Sequence, residues 1–465
     1  MPNVARSLLL ILLAVCVKPA MTGTLSIGRS LLLILLAVCV AVLLWHSRRS
    51  RQSLLLILLA VCVGGLCYFV TEWFVPPSLD CFSYGKDYQA LSADPLALGG
   101  QLPHRILGPA LAFALGLGGP MYPQFMRLCG ALLLMTVFWF CGRRGRFIDA
   151  LLITIGVAVT GALQTYRSVV GFPDQLSFAM LLLAVAAVRR PVLFFGINFL
   201  SLCNHEMVLF LVPWLLWHRR LAGARFWQDL TGLSVIGALY VAFRFFISMH
   251  VAQATLDANW YAGKSLFPLG TLWLWLLSFG YWVIDFGPML AIVAFAAFSR
   301  SHGQRIALLL FVGGIFAIYS VVYVYDFFRF GSALCVPLVL ASICFLQPMQ
   351  DRTGFALRED EGVFWRRLFY LALIVGTAFA CAAWHPGAGN ILLRPEGYAL
   401  AFDMDRITLM CCVDEAGNLD FKKAFTCVVP KIWPQLAMLS AELIALTALG
   451  GLLARLAPRR LLKQI

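Results

Sequence analysis

Apolar segments of about helical membrane-crossing length recur from residue 30 to residue 454, and short basic or polar loops separate them. A membrane-crossing helix needs about 20 mainly apolar residues, because only a helix satisfies its own backbone in hydrocarbon. Charged residues make up 12% of the 465-residue chain. A soluble domain carries roughly 25%, so a water-soluble fold is excluded on composition. The expected class is all-α, a polytopic transmembrane helical bundle of about 12–14 spans.

The formal charge of +14 invites a nucleic-acid reading, but its distribution does not support one. The basic residues form small clusters at helix ends, as the positive-inside rule expects, and no aromatic-interleaved basic stripe is visible. Arg outnumbers Lys by 29 to 7 in an Ala/Leu-rich text, which points to a GC-rich bacterial genome and a bacterial inner membrane.

Ser-Leu-Leu-Leu-Ile-Leu-Leu-Ala-Val-Cys-Val occurs unchanged at Ser7, Ser30 and Ser53. Strict identity with unequal spacers reads as duplication, since the units of a solenoid diverge around shared core positions. The first copy stops at Lys18-Pro19 and resembles a signal h-region, so Met21 is an alternative start. Residues 1–52 are therefore treated as a repeated hydrophobic extension, 53–350 as the transmembrane core, and 351–465 as C-terminal spans.

Charge sets the sidedness. Arg48, Arg49 and Arg51 hold one loop inside, and 53–71 then crosses outward to a loop at 72–121. Within that loop the apolar stretch 106–117 is too short to span and reads as an interfacial helix. Spans are expected at 122–141, 148–165 and 174–188. Two short helices within 191–217 meet outside at Asn204-His205-Glu206. Further spans follow at 231–249, 267–298 (broken or tilted in its first half), 306–324, 331–347, 368–384 and 434–454. An outer loop fills 385–433, and the C-terminus lies in the cytoplasm. In that outer loop a disulfide from Cys427 to Cys411 or Cys412 is expected; cysteines inside apolar segments read as small hydrophobes.

Ionisable groups at membrane depth are costly and mark functional candidates. Here they collect on the outer side: Asp80, Asp87, Asp94, His104, Arg105, Arg167, Asp174, His205, Glu206, Arg244, Asp326 and Arg329. Each has a plain structural alternative. Asp326 and Arg329 are spaced as an i,i+3 ion pair, and Arg167 and Asp174 suit interfacial anchors. His205-Glu206 lacks the second histidine of a zinc-protease helix, so no metal site is read there. The inner segment between residues 142 and 147, like most inner loops, offers only arginines that set topology. Gly116-Leu-Gly118-Gly119 follows no strand, and no phosphate-loop or nucleophile-elbow motif is present.

Asp80-Cys-Phe-Ser-Tyr84, Asp87-Tyr88, Asp94-Pro95-Leu96 and Arg105-Ile-Leu-Gly-Pro109 together resemble the opening loop of bacterial GT-C-type glycosyltransferases. Gly171-Phe-Pro-Asp174, Asn204-His205-Glu206 and Asp326-Phe-Phe-Arg329 resemble later features of such multipass proteins, and the resemblance covers residues 53–350. It implies transfer of a sugar from a polyprenyl-phosphate carrier to a lipid, glycan or protein on the outer face. It implies Asp80 as general base, with Asp87 as the alternate. His104, Arg105, Arg167, His205, Glu206, Arg244, Asp326 and Arg329 would bind substrate. Cys81 stands where the family often carries a second acidic residue, so no metal or other cofactor is implied. A transporter or lipid flippase is the competing reading; it calls for inverted repeats with broken helices at the midplane. An alkaline phosphatase fused after Gly99 should be active and one fused after Gly145 inactive. The reverse pattern would overturn the orientation.

Overall fold

The computed structural model describes residues 51–74, 80–81, 85–97, 104–143, 147–168, 170–250, 282, 285–297, 302–321, 327–346 and 359–384. The first two repeat copies, the loop 385–433 with Cys411, Cys412 and Cys427, and the expected span 434–454 lie outside the described residues. Two units are distinguished, Met1–Val61 and Cys62–Ile465; the contacts below all belong to the second.

Every regular element among the described residues is helical. Helix α1 covers Arg51–Phe74, α2 Gly85–Ala93, α3 Leu107–Ala114, α4 Tyr122–Gly142, α5 Phe147–Ala158 and α6 Gly161–Ser168. Helix α7 covers Asp174–Ala186, α8 Pro191–Asn204, α9 Met207–Phe210, α10 Val212–Leu221 and α11 Phe226–His250. After these come α12 at Leu290–Ala297, α13 at His302–Val321, α14 at Phe327–Ser332, α15 at Cys335–Leu346 and α16 at Glu359–Trp384. Pro123, Pro191 and Pro213 stand in the first turns of α4, α8 and α10. Proline is tolerated there because those N–H groups have no partner within the helix.

Among the described residues, three helical stretches are long and apolar enough to cross a membrane: Leu54–Glu72, Gly119–Gly142 and Phe226–Ile247. Five other apolar helices have 10–17 residues and fall short of that length. Helix α7 is buried almost all round, between α4 on one side and α8 on the other. It is apolar on every face apart from its first turn, as a central helix should be. Helix α11 is the opposite case. It packs on α8 but leaves Trp227, Val235, Val241, Phe245 and Phe246 more than half exposed. An apolar face of that extent is suited to hydrocarbon rather than water.

Two stretches differ from a simple succession of spans. Residues 148–165, expected as one span, are broken between α5 and α6. Gly161 lies against Asp285 so closely that an added Cβ would sit 2.7 Å from the aspartate Cα. The carbonyls freed by the break are satisfied locally: Thr160 Oγ1 donates to Val157 O at 2.7 Å and Gln164 Nε2 to Ala158 O at 2.6 Å. The second stretch behaves as its polar centre requires. Helix α8 ends at Asn204, His205 is extended (φ −158°, ψ 130°), and α9 starts at Met207.

Two arginines of the basic clusters, Arg219 and Arg367, do more than the topology-setting expected of most such clusters. Arg219 is 1% exposed, donates to Asp229 Oδ1 at 2.5 Å and to Val188 O at 2.8 Å, and packs over the Phe194 and Phe195 rings. It thereby joins the C-terminal ends of α7 and α10 to the first turn of α11, where cation, carbonyl ends and carboxylate are mutually favourable. Arg367 on α16 likewise donates to Asp149 in the first turn of α5 at 2.7 Å. Removing one partner of such a pair strands a buried charge, whereas replacing both by apolar groups is often neutral. Arg219→Met should therefore lower stability by about 3–5 kcal/mol, and Arg219→Met with Asp229→Leu should recover most of it. Thermal unfolding in detergent checks this; an equally unstable double variant would contradict it.

Candidate functional site

Helices α7 and α8 are antiparallel neighbours, so the start of one and the end of the other share one end of the bundle. Asn204 Nδ2 locks them there, donating to Pro173 O at 2.8 Å and to Ser177 Oγ at 2.7 Å. Two close approaches bring the first loop to the same place. Gly85 and Gly171 touch backbone to backbone, and Gly171 has φ +120°, a conformation that a side chain would strain. At Gly108 an added Cβ would fall 2.8 Å from the Pro173 ring and 3.2 Å from Asn204 Oδ1. Helices α2 and α3 are thus pressed onto the 170–174 turn and the Asn204 corner.

The result is a cluster centred on Glu206. Arg105 Nε donates to Glu206 Oε2 at 2.7 Å, and Arg244 Nη1 donates to Oε1 at 3.1 Å. His104 Nε2 also contacts Oε1. Arg105 Nη1 reaches Tyr88 OH at 3.0 Å, which ties α2 into the cluster. Side-chain exposure is 14% for Arg105, 21% for Glu206 and 44% for Arg244, so Arg244 is the cation that faces outward.

Burial alone would raise the Glu206 carboxyl, but Arg105 and His104 outweigh it and hold the group well below its ordinary range. Burial also lowers the His104 imidazole, against the opposing pull of Glu206. His104 is therefore neutral at pH 7 and donates its Nε2–H. Two guanidinium groups then face one carboxylate, which leaves positive charge for an incoming anion.

Beside this cluster lies a second, more deeply buried set. Asp174 stands at the first position of α7, where the helix dipole favours its charge. Tyr166 OH donates to its Oδ2 at 3.0 Å, and His205 Nε2 is 3.8 Å from Oδ1. The Met207 N–H donates to His205 Nδ1 at 3.1 Å. Nδ1 is thus an acceptor, and the proton of the neutral ring sits on Nε2, facing Asp174. Glu206 Oε2 is 3.9 Å from His205 Nδ1, so the two sets adjoin.

Of the residues singled out in the sequence, His104, Arg105, His205, Glu206 and Arg244 come together, with Asp174 next to them. Asp80 is exposed, beside the buried Cys81. Asp87 lies half-buried in the first turn of α2, where partial burial raises its carboxyl, and its neighbour Tyr88 is the residue that meets Arg105. Asp94 closes a turn, its Oδ1 accepting from Ala97 N at 3.3 Å. Arg167 is in α6 and Arg329 in α14, but their side chains, like the whole of Asp326, lie outside the described residues. Among the described residues no group of three His, Cys, Asp or Glu side chains is placed to hold a metal ion. Tyr88, Tyr166, Asn204 and Ser177 were not selected from the sequence. Tyr88 and Asn204 carried a signal, as parts of the Asp87-Tyr88 and Asn204-His205-Glu206 motifs.

No protein-family model matches this chain, and no curated protein matches it.

Because the folded state lowers both His104 and Glu206, it binds fewer protons than the unfolded chain, and their stabilisation is lost on acidification. The wild type should keep full stability above about pH 6.5, the ordinary histidine value. It should weaken as His104 is forced to protonate, and weaken again below 4.5, the ordinary glutamate value. Glu206→Gln should be less stable at pH 7 and lose the lower step. An unchanged decline below pH 4.5 in that variant would remove Glu206 from the account.

Proposed function

We propose that this chain is a multipass GT-C-type glycosyltransferase of a bacterial inner membrane, with about 12–14 spans and its C-terminus in the cytoplasm. It moves a sugar from a polyprenyl-phosphate carrier to a lipid, glycan or protein hydroxyl on the outer face. The observation that carries the reading is the convergence of Arg105, Arg244 and His104 on Glu206, joined through Tyr88 to the helix bearing Asp87. Arg244, the exposed cation, would meet the carrier phosphate, and Arg105 would add to the field that offsets the charge growing on it.

In the transfer step the acceptor oxygen bonds to the anomeric carbon while the bond from that carbon to phosphate breaks. The electron pair leaves with the phosphate, and the hydroxyl proton passes to a carboxylate. Glu206 is a poor base because its cations hold it ionised. Asp87 suits the role better, since partial burial raises its carboxyl toward the range in which a base is effective; Asp80 is the alternate. Removing the base should slow transfer by on the order of 10²–10⁴. The test is sugar transfer by the purified chain with Asp87→Asn, Asp80→Asn and Arg244→Gln. Full rates in both aspartate variants would sink the mechanism.

A second reading, a transporter, draws on the helix break at Thr160, where Asp285 packs against Gly161. Asp285 is fully buried and accepts from Ser332 Oγ at 3.2 Å. Interrupted helices around a buried carboxylate are what transporters use. Substrate counterflow without sugar transfer would favour it.

A further inference from the structure

Below the Glu206 cluster, α8, α10 and α11 enclose a cleft of about 80 Å³. Its walls are nearly all hydrocarbon, including Phe195, Leu202, Leu215 and Ile236. A dry apolar cavity on an ordinary soluble protein would be unremarkable packing. Three features set this one apart.

The first is its place. One wall is α11, the helix whose exposed apolar face is suited to hydrocarbon. Tyr240 lines the cleft, and Arg244 stands one turn further along the same helix, bonded to Glu206. The cleft therefore follows a lipid-suited helix up to Tyr240, one turn from a half-exposed cation.

The second is a polar atom in the apolar wall. Asn198 is 3% exposed and donates its Nδ2–H to Phe194 O at 2.8 Å, but its Oδ1 accepts no hydrogen bond among the described residues. The hydroxyl of Tyr240, also buried, interacts with Arg244 on the same helix. A buried acceptor left unmet is costly, more so where water is scarce. Asn198 is six residues before Asn204 on α8, or about 9 Å along the axis from the charged end.

The third is unfilled space. A Cβ at Gly237 would meet nothing within 4 Å, although Gly237 lines the cleft; at Gly232, one turn earlier, it would strike the Phe195 ring. The glycine at 232 is needed for packing, and the one at 237 leaves room.

We propose that this cleft holds the hydrocarbon chain of an anionic membrane lipid that carries a mid-chain hydroxyl. The headgroup lies at Arg244, and the hydroxyl donates to Asn198 Oδ1. The volume accommodates a stretch of chain, and the remainder lies along the exposed face of α11. A plain isoprenoid has no group for Asn198, so this ligand is distinct from the sugar carrier proposed above, and its binding does not require sugar transfer.

The test uses the full chain in nanodiscs with two probes, 10-hydroxyoctadecanoate and octadecanoate, measured by equilibrium binding. The hydroxylated probe should bind about three- to tenfold more tightly, the worth of one neutral hydrogen bond. Asn198→Leu should bring the two to parity, and Gly237→Leu should abolish binding of both. Arg244→Gln should weaken both alike, because both carry the same carboxylate. Equal affinities in the wild type would overturn the hydroxyl assignment, and undiminished binding to Gly237→Leu would overturn the cleft as the site. Water as the partner of Asn198 would show as the same parity in wild type. Asn198→Leu also removes an unmet polar atom, so its melting temperature should not fall; that keeps a loss of preference from being mistaken for unfolding.

Discussion

The Glu206 carboxylate is the point on which this end of the molecule depends. It accepts hydrogen bonds from Arg105 and Arg244 and contacts His104, so three separate parts of the chain meet at one group. A charged side chain near hydrocarbon persists only where its charge is answered, and here the answer is multiple and local. The same carboxylate accounts for the broken helix between α8 and α9. An unbroken helix through His205 would carry Glu206 along the helix surface, away from the end that α2, α3 and α11 reach.

Charge is placed at both ends of the helices, with different results. At one end, Arg219 with Asp229 and Arg367 with Asp149 are closed pairs that pin α7, α10, α11, α5 and α16. At the other, the pairing around Glu206 leaves Arg244 half-exposed and carries more positive than negative groups. The first arrangement is suited to holding helices together. In the second, Arg244 keeps 44% of its side chain exposed while bonded to Glu206, and the proposed function rests on that. The cleft beneath it, with Asn198 Oδ1 unmet, extends the same logic into the apolar layer.

Much of the candidate site was legible from the chain alone. His205-Glu206 interrupts an apolar run, and Arg244 is a charge well inside an apolar helix; both are expensive unless used. Asp80 and Asp87 drew attention as carboxylates of the first loop, Asp80 as the base and Asp87 as its alternate; in the fold Asp80 is exposed and Asp87 half-buried. Tyr88 and Asn204 stood in quoted motifs, but the contacts they make, and Tyr166 altogether, were not legible, because a tyrosine or asparagine in an apolar chain is ordinary. Their roles come from partners 17, 31 and 8 residues away, respectively. Arg219 was misread for a related reason: a basic residue in a basic cluster looks like a topology signal until its burial is seen.

The sequence by itself determined the helical class, the apolar character and the break at residues 205–206. Those follow from local composition, since apolar length and a polar interruption act on the chain where they occur. Only the tertiary structure decided that α5 and α6 are separate helices, because the break there depends on Asp285 packing against Gly161 from 124 residues away. Only it decided that His104, Arg105 and Arg244 share one carboxylate, because convergence depends on which helix ends are neighbours. That is set by close approaches at Gly85, Gly108 and Gly171, and no periodicity along the chain encodes them.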